Sequence, residues 1–127
     1  MRQVALCLLV VTCGLPLPAP LDGQALSRSQ LLSAARDVMS AAPYVAFATV
    51  DEEGRPAVRA MDALAPDEGL VVWFATNPRS RKVDQLRADP RVALHYLDTD
   101  GPGYVTLNGV ARLVEDPALK AGHWKES

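Results

Sequence analysis

The densest polar signal in the chain is the stretch 76–82, Thr-Asn-Pro-Arg-Ser-Arg-Lys, which follows an apolar run (70–76, LVVWFAT) and opens an amphipathic one (80–88, SRKVDQLRA). A helix N-terminus presents unpaired N–H groups and a partial positive charge, so Arg81 and Lys82 at such a point make a site suited to a phosphate. Ser80 is placed either to cap the helix or to bond the anion. Arg offers a planar fork to phosphate oxygens and Lys a compact point charge, a division of labour that suits one doubly charged group. The alternative is a solvated basic turn. That arrangement leaves cations at the positive end of a helix, unfavourable by a few tenths to about 1 kcal/mol unless an anion answers them.

Arg59 is the second candidate. It stands mid-strand between Val58 and Ala60, where it is either an exposed arginine on a sheet face or a further ligand for the same anion. Trp73 and Phe74 belong by default to the core, and their strand could equally form a wall for a flat ring. His95 and His123 are too few, and too far from any cysteine, to suggest a metal site. His95 is expected to pack or hydrogen-bond, and His123 with Trp124 to anchor a last helix. Asp51, Glu52 and Glu53 read as a turn with no partner that would mark a general-acid pair. No side chain presents itself as a catalytic acid or base.

The elements that must position these residues follow from pattern. Ser27-Arg-Ser-Gln30 is a capping box, and Leu31, Leu32, Ala35, Val38 and Met39 recur at helical spacing, which predicts a helix over 28–41 that Pro43 stops. Residues 44–50 (YVAFATV) and 56–64 read as two strands of a hairpin joined by Asp51-Glu-Glu-Gly54. Val58, Ala60 and Asp62 share one face of the second strand, and Arg59, Met61 and Ala63 the other. The apolar run 70–76 predicts a third strand, buried on both sides. A short helix over 80–88, a strand over 91–97, a polar turn over 98–103 and a strand over 104–114 follow. Gly109, inside that last strand, suggests a bulge or sharp bend. Asp116-Pro117 opens a final helix. The order α-β-β-β-α-β-β-α with tight turns points to an antiparallel barrel or sandwich within one modest domain.

A chain of 127 residues with a net charge of −2 excludes a multidomain machine and argues against a nucleic-acid binder held by bulk charge. Both cysteines, Cys7 and Cys13, lie in an amino-terminal segment where Arg2 precedes an apolar run (4–11) too short to span a bilayer. With small residues at Gly23-Gln24-Ala25, this segment reads as a secretory signal peptide over 1–25, cut after Ala25. Val10-Val-Thr-Cys13 resembles a lipoprotein processing site only distantly, because Thr12 fits poorly before a lipidated cysteine. The expected mature domain, 26–127, is then exported to the periplasm or exterior and has no cysteine; if the segment is instead a buried helix, the protein is cytoplasmic.

The succession Gly54-Arg-Pro-Ala-Val-Arg59, Trp73-Phe-Ala-Thr-Asn77, Ser80-Arg-Lys82 and Asp89-Pro-Arg-Val-Ala-Leu94 resembles the pyridoxamine 5′-phosphate oxidase-like FMN-binding split-barrel family, especially its general stress protein branch, over roughly residues 30–125. The resemblance implies a mainly β, α+β antiparallel split barrel with flanking helices, binding FMN at a homodimer interface. Carried over, Arg59, Ser80, Arg81 and Lys82 would hold the phosphate, and Ala75 and Thr76 would meet the flavin ring. Tyr104 would correspond to a ring-contacting position near the interface. Ala63-Leu-Ala65 stands where the oxidase has a second basic phosphate ligand. The chain reaches Ser127 before the family's substrate-gripping segment and last barrel strand, so the expectation is a C-terminally short domain that does not oxidise pyridoxamine phosphate. The family resemblance leaves two functions: an FMN-dependent oxidoreductase, or a non-catalytic stress or storage protein binding flavin, deazaflavin or heme.

Overall fold

The computed structural model describes residues 25–123. The predicted signal segment, 1–24 of it at least, and Trp124 lie outside the described residues. Helix α1 (Arg28–Ala41) has the expected bounds and the expected capping box: Ser27 Oγ accepts from the Gln30 backbone N–H, and Gln30 Oε1 accepts from that of Ser27. Strands β1 (Val45–Val50) and β2 (Pro56–Met61) form the predicted hairpin, in register from Val45 opposite Met61 to Val50 opposite Pro56. Asp51 closes its turn by accepting from the Arg55 and Glu53 backbone N–H groups, and Gly54 takes the left-handed conformation (φ 78°). Hydrogen bonds from Arg55 hold the Asp51 carboxyl below its ordinary pKa.

Helix α2 (Arg81–Ala88), strands β3 (Arg91–Leu97) and β4 (Tyr104–Val110), and the short helix α3 (Pro117–Gly122) complete the order. The sheet is antiparallel throughout, in the order β2-β1-β3-β4, and open at both ends. This is the expected α+β architecture with one strand fewer. The run 70–76 is not a strand. Its backbone bonds are Leu64 N to Trp73 O, Asp67 N to Val71 O and, within the turn, Leu70 N to Asp67 O, which make no ladder. Asp67 folds the turn before it, its Oδ1 accepting from Gly69 and Val71, and Leu70 takes φ 63°, outside the β region. Nor is the run buried on both sides: Leu70, Val72, Trp73 and Phe74 are half-buried, while Val71 is 52% exposed and Ala75 and Thr76 are exposed too.

Three further expectations are corrected. Gly109 sits in unbroken register opposite Val92 and makes no bulge. β4 stops at Val110 rather than 114 because its partner β3 begins after Pro90, which has a carbonyl to accept from Ala111 and no N–H to give back. Likewise β2 stops at Met61 rather than 64, opposite Val45, the first residue of β1.

The core lies on one face of the sheet. Met39 of α1 and Leu86 of α2 pack on Val45, Phe47, Leu94 and Tyr96, and Phe74 from the 70–76 run meets Phe47 edge to face at 5.2 Å. The other face carries Ala46, Ala48, Val58, Ala60, Ala93, His95, Leu97, Tyr104 and Thr106, in a band with little charge.

Candidate functional site

On the core-facing side of β1 the alternation Val45, Phe47, Thr49 brings a hydroxyl where an apolar residue belongs, and Thr49 is 98% buried. Arg59 stands opposite Phe47 on β2 and turns to the same face. Its Nη1 donates to Thr49 Oγ1 at 2.7 Å and, more weakly, to the Phe47 carbonyl at 3.5 Å; its Nη2 donates to Gln85 Oε1 of α2 at 3.1 Å. Thr49 Oγ1 in turn donates to Gln85 Oε1 at 2.6 Å. Three elements therefore meet at this guanidinium, whose carbon lies 5.9 Å from the Phe47 ring centre. The exposed-arginine reading is set aside: Arg59 is half-buried and held.

At the start of α2, Asn77 closes the turn. Its side chain accepts from Arg79 N–H at 2.9 Å, and its carbonyl accepts from both Ser80 N–H and Ser80 Oγ–H. Ser80 occupies the N-cap position without a side-chain cap bond. The N–H groups of Arg81 and Lys82 find no acceptor among the described residues. Nor do Arg59, Arg79, Arg81 and Lys82 form an ion pair there, whereas Arg55, Arg87 and Arg91 do. Burial, followed by the nearby Arg81 charge, lowers the Arg59 pKa. Arg59 and Arg81 thus stand close enough to repel, with no ion-paired carboxylate between them among the described residues. Such a cluster fits a multiply charged anion, which alone would relieve the repulsion and use the open donors.

A cavity of about 1170 Å³ is walled by the 64–76 segment, α2, β3, β4 and α3. Ala75, Thr76 and Lys82 line it; Arg59, Ser80 and Arg81 do not. Lys82 therefore belongs to both the basic cluster and the cavity, whose walls are otherwise largely apolar side chains such as Phe74, Leu94 and Leu107. Tyr104 lies apart, on the opposite face of the sheet, 66% exposed and 5.7 Å from the His95 ring centre. His95 Nδ1 and Thr106 Oγ1 share a hydrogen bond of 2.9 Å.

The residues that sequence reasoning overlooked are Thr49 and Gln85. A threonine at a core-facing position of an alternating strand was the available signal for the first. Gln85, flanked by the core residues Val83 and Leu86 on a short helix, gave none until β1 and β2 were placed beneath it.

Residues 31–126 match the family model of pyridoxamine 5′-phosphate oxidase, and the chain belongs to that family. No functionally curated protein matches it at a significant level. Among solved structures, it is 24% identical to a Clostridium acetobutylicum protein related to general stress protein 26, of the pyridoxinephosphate oxidase family, with a TM-score of 0.70 over 79% of this chain and 70% of that one. It is 29% identical to a conserved hypothetical protein of Mycobacterium tuberculosis, with a TM-score of 0.62 over 74% of this chain and 57% of that one. It is also similar to an F420 reductase, 31% identical with a TM-score of 0.56 over 61% of this chain and 60% of that one. The chain spans less than two thirds of the length of these last two. The open antiparallel sheet with flanking helices is the split-barrel architecture of this group.

Proposed function

From membership in the pyridoxamine 5′-phosphate oxidase family, we propose that this protein binds FMN, with the phosphate on Arg59, Arg81 and Lys82 and the ring beside Ala75 and Thr76. The observation that carries the reading is the absence of any ion pair on those three cations among the described residues, together with open N–H groups at the start of α2. Bound flavin supplies electron-transfer chemistry; the chain supplies position and local field. Ser80 contributes through the turn it stabilises with Asn77. Its hydroxyl proton is already engaged there.

In the same reading the protein is a homodimer. The uncovered face of the sheet is apolar, with Val58 63% and Leu97 57% exposed, and antiparallel sheets that stand alone in water carry polar residues on that side. Arg59 and Tyr104 lie on opposite faces of one sheet, so Tyr104 reaches a flavin only as a residue of the second copy. The activity is that of a flavin-dependent oxidoreductase other than pyridoxamine phosphate oxidation. The amino-terminal segment exports the mature chain.

The test is spectroscopic. Purified protein titrated with FMN is expected to quench flavin fluorescence stoichiometrically, and Arg81→Ala/Lys82→Ala to weaken FMN binding at least tenfold while sparing riboflavin, which has no phosphate. Absence of FMN binding overturns the reading. Similarity to an F420 reductase favours a deazaflavin as the second reading; preferential binding of that cofactor over FMN would establish it, and a Soret band in the isolated protein would point to heme instead.

A further inference from the structure

We infer that Thr49 and Gln85 are positioning residues of the phosphate site: they hold the Arg59 guanidinium with neutral acceptors so that its charge and its remaining donors stay available to the anion. The inference rests on the FMN reading above and adds to it what makes Arg59 competent.

The donor arithmetic is specific. A guanidinium carries five N–H groups. Both on Nη1 are engaged, by Thr49 Oγ1 and the Phe47 carbonyl, and one on Nη2 is engaged by Gln85 Oε1. The Nε–H and the second Nη2 N–H have no acceptor among the described residues, and these belong to the two nitrogens on one edge of the fork. That edge suits a phosphate bidentately. A long side chain left free in water would lose several rotamers on capturing a ligand. Here that ordering is already complete, because three hydrogen bonds and the Phe47 ring fix the plane.

The nature of the acceptors matters as much as their number. Arg55 and Arg91 in this same chain are held by carboxylates, Asp51 with Glu53 and Asp89 respectively. Arg59 is held by a hydroxyl, an amide and a carbonyl. A carboxylate at position 85 would fix the guanidinium at least as firmly, yet would cancel the charge that draws an anion. Gln85 Oε1 also accepts from Thr49, so its amide oxygen is aimed from two sides and Arg59 inherits that aim. The nearby Arg81 charge raises the cost of bringing the cations together without an anion, and a neutral clamp leaves that cost in place to be relieved on binding.

The experiment compares FMN and riboflavin affinities of the purified full chain in four forms: wild type, Gln85→Glu, Thr49→Val and Thr49→Ser, with Arg81→Ala/Lys82→Ala as a reference and thermal melting to check folding. Gln85→Glu is expected to weaken FMN binding at least tenfold and riboflavin binding less than twofold, with melting unchanged or raised. Thr49→Val is expected to lose about fivefold toward FMN, and Thr49→Ser, which restores the hydroxyl, to return to within twofold of wild type. Should Gln85→Glu fail to fold, the Thr49 pair decides alone. Wild-type FMN affinity in both Gln85→Glu and Thr49→Val, with the Arg81/Lys82 reference weakened, overturns the positioning role and leaves the FMN reading standing. Equal losses for FMN and riboflavin overturn it as well, since they mark a packing defect. If wild type binds no FMN, the underlying reading falls and this assignment with it.

Discussion

The rings of Trp73 and His123 stack 4.0 Å apart and 16° from parallel, and this contact joins the irregular 70–76 run to the end of α3 across one end of the cavity. Helix α3 has six residues and no buried side chain, far below the length at which a helix is stable alone. Beyond this stack it has the Asp116 cap, where Oδ1 accepts from Ala118 N–H at 2.8 Å, and a loose 3.9 Å approach of Arg87 to Glu115 just before it. His123→Ala is therefore expected to fray α3, raising amide exchange there at least tenfold while leaving β1 and β3 protection unchanged. Unchanged protection in α3 would show that the stack does not hold it.

Tyr96 is 99% buried and its hydroxyl finds no partner among the described residues. An unsatisfied buried hydroxyl costs more than it returns, so Tyr96→Phe is expected to stabilise the fold by about 1 kcal/mol in urea unfolding. The pH dependence follows from the same burial, which pushes the phenol from 10.0 up to about 12. The folded state favours the neutral form; below pH 10 both states are neutral and stability is at its full value. Between pH 10 and about 12 only the unfolded chain releases the proton, and stability falls as pH rises. Tyr96→Phe is expected to flatten that alkaline slope. A slope equal to wild type would assign the loss to other groups.

The clearest sequence signals were those in which a local device sufficed. The capping box at Ser27, the proline at 43 and the Asp51–Gly54 turn each settle a boundary within a few residues, and α1, β1 and β3 match their expected bounds to within a residue. The run 70–76 failed because strand formation needs a neighbour, which apolar composition does not supply. Candidate site residues divide the same way. Arg81 and Lys82 were legible as a helix start, whereas the Arg59 clamp is tertiary: Thr49 and Gln85 are 36 residues apart in sequence and meet only when α2 docks on β1. Tyr104 was assigned by resemblance, and its face could not be known before the register of β4 against β3.

The amino-terminal cap of α1 offers a test of stability. The capping box at Ser27 satisfies two N–H groups of α1 reciprocally, and cleavage after Ala25 would retain all of it. Ser27→Ala is expected to cost about 1 kcal/mol in chemical unfolding of residues 26–127. A negligible cost would mean that α1 frays at this end in residues 26–127.

The face opposite the core makes the strongest demand for a partner. Ala48 lies between Val58 on β2 and Ala93 on β3, and Ala46 between Ala60 and His95, so the centre of the sheet is a shallow floor of methyl groups with Val58, Leu97 and Tyr104 projecting from it. A second copy applied to this floor would bury those projections, Tyr104 among them. Val58→Glu places an uncompensated charge on the floor, which the monomer tolerates at an exposed position and an apolar interface does not. The expected result is a shift from dimer to monomer by light scattering at micromolar concentration, together with at least tenfold weaker FMN binding and little change in far-UV circular dichroism. A variant that stays dimeric with full FMN affinity places the contact elsewhere. One that becomes monomeric yet binds FMN as tightly as wild type places the flavin within a single subunit, and removes Tyr104 from its site.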